Sequence, residues 1–156
     1  MAYKSVAALK TAIRDAVHDG LWDAEDEIKD TESVAIETMV YERYDPSIYE
    51  RRGSSGGLAS PQNMQAYPLD SLSMAVANTT PFNPNTSTGI SRNKGNELSI
   101  LIEGGNGAGG YGYDFADHSS DKSFAIPRPY RDYTVELLEQ NQIVLRSIQA
   151  SLMALS

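Results

Sequence analysis

Asp114, Asp117, His118 and Asp121 bring three carboxylates and an imidazole close together, a donor set that suits a hard divalent cation. Their spacing does not match the twelve-residue calcium loop, and solvated polar loops carry the same residue types, so no metal site is expected there. Gly105, Gly107 and Gly110 spell G-x-G-x-x-G directly after the apolar run Leu98–Ile102. A dinucleotide loop needs a helix opening at its last glycine, and an acidic residue about 20 positions further on. Here the glycines lead into Tyr-Gly-Tyr-Asp-Phe and then Asp-His-Ser-Ser-Asp, with no helical period and a proline at 127. The glycines are not a nucleotide site, and no cofactor is expected. For nucleophilic catalysis the chain has no cysteine, no G-x-S-x-G elbow and two histidines, His18 and His118. A chain this rich in Ser and Asp could assemble a Ser-His-Asp triad on paper anywhere. The reading is a non-enzyme with no catalytic residue.

The elements that must position these residues begin with a helix. Val6, Leu9, Ile13, Ala16, Val17, Leu21, Ala24, Ile28, Ala35 and Met39 recur at three- and four-residue steps, which predicts one long helix over 5–43. Its other face is acidic, with Asp15, Asp19, Asp23, Glu25, Asp26, Glu27, Asp30 and Glu32. Spread along a helix rather than converging, these acids read as a solvated face. Gly20 is the place to expect a bend or a division. Pro46 ends the helix near Tyr44–Asp45, because the residue before a proline avoids helical geometry.

Residues 44–67 read as a loop rich in Gly, Ser and Pro, and 69–77 as a half-buried strand with Leu72, Met74 and Val76 on one side. Residues 78–96 are turn-formers throughout, a long flexible loop, and 97–103 form a second, more apolar strand. The helical period returns in 132–154, where Val135, Leu138, Leu145, Ile148 and Leu152 make one stripe. The order predicts a single α+β domain: a long N-terminal helix, loops and a small antiparallel sheet across 44–126, and a C-terminal helix.

Composition narrows the partners. The net charge is −8, with 13 Lys and Arg against 21 Asp and Glu, which argues against tight nucleic-acid binding. An acidic surface that DNA slides past without sticking is compatible with it. There is no apolar run of about 18 residues or more, so no membrane span is expected. The absence of cysteine fits assembly in a reducing cytoplasm. Tyr41, Tyr44, Tyr49, Arg51 and Arg52 gather residue types enriched at protein interfaces, and Arg128, Tyr130 and Arg131 form a second such cluster. Covering a helix end is the plainer use of such tyrosines, with the arginines simply solvated.

Three stretches resemble small neck proteins of tailed bacteriophages, the head–tail connector or tail-completion proteins. They are VYERYDPSIYERRGSSGGLASPQNM, LSILIEGGNGAGGYGYDF and IPRPYRDYTVELLEQNQIVLRSIQASL, in that order. The resemblance implies a virion structural protein assembled in the host bacterial cytoplasm. Copies of it would form a ring between portal or adaptor proteins on the head side and the tail terminator or tube on the other. It implies that the glycines of 104–112 allow close approach of a neighbour, with Tyr111 and Tyr113 packing across the contact. It also implies that Asp19, Asp23, Asp26 and Asp30 flank a channel through which DNA passes without specific binding. Within structural proteins the rival is a tail terminator or another tail or capsid component. From another class it is a small metal-dependent hydrolase using Asp114, Asp117, His118 and Asp121.

Overall fold

The structure, a computed structural model, describes residues 3–43, 56–80, 102–103 and 128–155. It is α+β, with a long N-terminal helical rod, a two-stranded antiparallel sheet and a C-terminal helical segment. The rod is three pieces in line: α1 (Val6–Asp23), α2 (Glu25–Ile36) and a π-helical turn (Glu37–Tyr41). Ser5 caps the start, its Oγ accepting from the Ala8 N–H at 3.1 Å. Ala24 separates α1 from α2, so the interruption falls four residues beyond Gly20. In the π turn the Glu42 N–H donates to the Glu37 carbonyl at 2.8 Å.

Gly20 is used for contact. It is buried in the middle of α1, and a Cβ built there would meet the Ile148 Cα at 2.6 Å. With Ala16 and Ala24 it makes a seam of small residues along the rod. Two helices at the other end of the chain lie on this rod: α3 (Tyr130–Gln140) on α2, and α4 (Ile143–Met153) on α1. The single C-terminal helix expected over 132–154 is therefore divided, and it starts two residues earlier. Gln142 adopts the left-handed region at φ 52°, which ends α3 and turns the chain into α4. Pro129, with no N–H to lose, precedes the first turn of α3.

The hairpin pairs β1 (Met64–Asp70) with β2 (Ser73–Asn78), Met64 opposite Asn78 at its base and Asp70 opposite Ser73 at its tip. An Asx turn closes the tip, the Asp70 carboxylate accepting from the Leu72 N–H at 2.7 Å. The strand expected over 69–77 thus belongs partly to β1, partly to the turn and partly to β2. β1 starts inside the segment expected to be loop. Ile102 and Glu103 have helical rather than extended backbone, and 97–101 lie outside the described residues. The core gathers Ala35, Ile36, Val40, Leu58, Ala59, Met64, Ile102 and Tyr130 where α2, the hairpin base and α3 meet.

Candidate functional site

Asp19 and Asp23 on α1, and Asp26 and Asp30 on α2, are all exposed. Their spacing of four, three and four puts them on one flank of the rod. Asp19 lies 3.5 Å from the His18 Nδ1. The Asp23 carboxylate accepts from the Ser151 Oγ at 3.4 Å, so this flank borders α4. Further along, Arg146 of α4 donates to Glu27 at 2.9 Å, and Glu25 pairs with Lys29 one turn on.

Glu32 departs from the acidic face on which the sequence placed it. It is 7% exposed, because it lies four residues from Ile28 and four from Ile36, on the apolar side of α2. Burial raises its pKa, opposed by the Asn78 amide, whose Nδ2 lies 3.4 Å from its Oε1. Asn78 is the centre of a buried clamp. Its Nδ2 donates to the Leu58 carbonyl at 2.8 Å, and its Oδ1 accepts from the Thr80 N–H at 3.1 Å and the Thr80 hydroxyl at 2.6 Å. Ser33 donates to the Ala59 carbonyl at 2.6 Å, and the Tyr41 hydroxyl accepts from the Leu58 N–H at 3.0 Å. The irregular strand of chain Gly57–Ser60 is thereby buried with its backbone satisfied by side chains from the rod and the hairpin. Gly56, at φ +78°, supplies the left-handed turn into it. Asn78 and Thr80 belong to the segment that residue composition assigns to a flexible loop. They are instead among the most buried polar residues described.

Arg128 and Tyr130 are interior residues of this fold. Tyr130 is fully buried at the start of α3, and Arg128 is nearly so, its N–H donating to the Ile102 carbonyl at 3.0 Å. Both are occupied inside the subunit rather than on a docking surface. The Tyr130 hydroxyl is buried with the Arg131 side chain near it and no well-formed hydrogen bond among the described residues, and burial drives its pKa far above the ordinary phenol range. Arg131 lies over its ring at 5.9 Å, and the Arg131 N–H donates to Glu103, whose pKa burial also raises. Tyr44, Tyr49, Arg51, Arg52, Tyr111 and Tyr113 lie outside the described residues, as do Asp114, Asp117, His118 and Asp121. Among the described residues no group of three His, Asp or Glu side chains is placed to hold a metal ion. No described helix is long and apolar enough to cross a membrane.

The described surface offers apolar contact beside charge. Val6, Leu9 and Ile13 are exposed on the N-terminal half of α1, and Leu145 and Met153 on α4. Tyr67, Leu69 and Leu72 are exposed at the hairpin tip. Periodicity alone assigns Val6, Leu9 and Ile13 to the core stripe. α4 covers the seam farther along α1, at Ala16 and Gly20, but leaves these three partly open.

Neither the curated proteins nor the solved structures contain a match to this chain. The YomN family profile matches residues 5–154, from the cap of α1 to the end of α4. The chain belongs to the YomN family, a phage-derived group of Bacillus prophage type, and is a phage-related protein.

Proposed function

We propose that this protein is a virion structural component of the phage neck, a subunit of a homo-oligomeric ring joining the head to the tail. The reading rests on membership of a phage-derived family over nearly the whole chain. The three ordered motifs that resemble neck proteins support it, and two of them bracket described structure. GGLAS runs into the clamped segment Gly57–Ser60, and PRPY leads into α3. Apolar residues left open on α1 and on the hairpin tip suit a subunit that completes itself against neighbours.

The experiment is deletion of the gene from an inducible phage, with electron microscopy of the lysate. A neck subunit leaves full heads and finished tails unjoined, and purified protein added back restores joining. Normal virions without the protein would overturn the reading. Tails of uncontrolled length would replace it with a tail-terminator role.

A further inference from the structure

Charge is segregated along the helical rod. Residues 1–14 contain Lys4, Lys10 and Arg14 and no acid, whereas residues 15–42 contain ten acids against one base, Lys29. Lys29 is already paired with Glu25. Lys10 and Arg14 are exposed and form no ion pair among the described residues. Lys10 lies beside open apolar side chains, because Val6 is one turn before it and Ile13 three residues after it.

The two charges also lie on opposite sides. Lys10 and Asp19 are nine residues apart, as are Arg14 and Asp23. Nine residues make two and a half turns of helix, so each base points away from its corresponding acid. No single copy can bring the two flanks together. A second copy laid alongside can.

We propose that α1 carries a contact between copies of this chain, the Lys10–Arg14 flank of one copy against the Asp19–Asp23 flank of the next. This rests on the ring reading above and names the surface that would build the ring. A two-fold pairing would set each flank against itself, basic on basic or acidic on acidic, and is disfavoured in a protein of net charge −8. The complementary pairing is head-to-tail. It leaves an unused flank at each end of any chain of copies, so it propagates until it closes. Matching Lys10 to Asp19 displaces neighbours by about 13 Å along the helix axis, at 1.5 Å per residue. A closed ring therefore carries α1 inclined to its axis. Asp19 and Asp23 then face a neighbour's cations, and the channel role implied for the acids narrows to Asp26 and Asp30.

The test uses the full chain and two charge-reversed variants, Lys10→Glu with Arg14→Glu, and Asp19→Lys with Asp23→Lys. Sedimentation velocity over a concentration series reads assembly, and thermal unfolding checks that each variant folds. Wild type should assemble at low salt and dissociate as salt rises. Each variant alone should need roughly tenfold or more protein for half-assembly. An equimolar mixture of the two should recover assembly, because every junction in an alternating ring is complementary again. A chain carrying all four reversals should assemble alone. Wild-type assembly that neither reversal weakens would overturn this contact and leave the ring reading standing. A wild type that stays monomeric at every salt concentration would overturn both.

Discussion

A Cβ on Gly20 would stand 2.6 Å from the Cα of Ile148 and 3.0 Å from its nitrogen, so α1 and α4 meet backbone to backbone at that level. The obstruction is main chain, which cannot rotate aside. On helix propensity alone Gly20→Ala would gain roughly 1 kcal/mol. Here it should instead destabilise by about 1–3 kcal/mol, as overpacking forces the helices apart. Urea denaturation checks the sign, and a stabilised variant would show that α4 does not approach this closely.

Asn78 holds three elements with one side chain. Asn78→Ala strands the Leu58 carbonyl and the Thr80 N–H in a buried site and removes the amide that offsets the burial of Glu32. The loss should be about 2–4 kcal/mol, since each orphaned buried group costs about 1–3 kcal/mol. Native-state hydrogen exchange would read it at Leu58 and Thr80. Unchanged protection there would mean that the clamp is held by something else.

Tyr130 carries the opposite expectation. Its ring fills the core, but its hydroxyl is buried with only the Arg131 side chain near it and no well-formed hydrogen bond among the described residues. Tyr130→Phe keeps the ring and removes the unsatisfied group, so it should stabilise the fold by about 1 kcal/mol. A Phe variant that melts lower than wild type would reveal a hydrogen bond to the phenol.

Glu32 gives the fold a pH dependence. Its raised pKa means that the folded chain keeps a proton that the unfolded chain has already released above the ordinary value of 4.5. The stability associated with the neutral acid is complete below 4.5 and is lost as pH rises through the raised folded value. Glu103, raised by burial as well, adds to the same downward slope. Glu32→Gln removes one titration and keeps an acceptor for Asn78. Its stability should therefore decline less than wild type as pH rises above 4.5, measured by denaturant melts at successive pH values. Parallel curves would assign the slope elsewhere.

The start of the rod near residue 5, the return of helix close to Asp132 and the α+β class were all legible in residue periodicity. The internal breaks were not. A glycine in a helix reads as a weak point from sequence alone, and the packing that makes Gly20 necessary comes from a helix more than a hundred residues away. Gln142, in a left-handed conformation that glycine or asparagine would have signalled, carries no local mark. The Gly, Ser and Pro content of 44–67 concealed the first half of β1, whose Pro68 a two-stranded sheet tolerates. Glu32 was readable in principle, since a Glu at the four-residue step from Ile28 sits on the apolar stripe. The large number of acids around it concealed the exception. The interior positions of Arg128 and Tyr130 depend on how α3 lies on α2, which residue type alone does not encode.

The pairing of α1 with α4 also sets a timetable for synthesis. Glu27 and Arg146 are 119 positions apart, and Tyr3, which donates to the Leu155 carbonyl, is 152 positions from its acceptor. At about 5–20 residues per second, α1 leaves the ribosome on the order of ten seconds before α4. Through that interval its groove at Ala16, Gly20 and Ala24 has no cover. The groove closes only when α4 emerges and lies on α1, so the first helix made is the last to be completed.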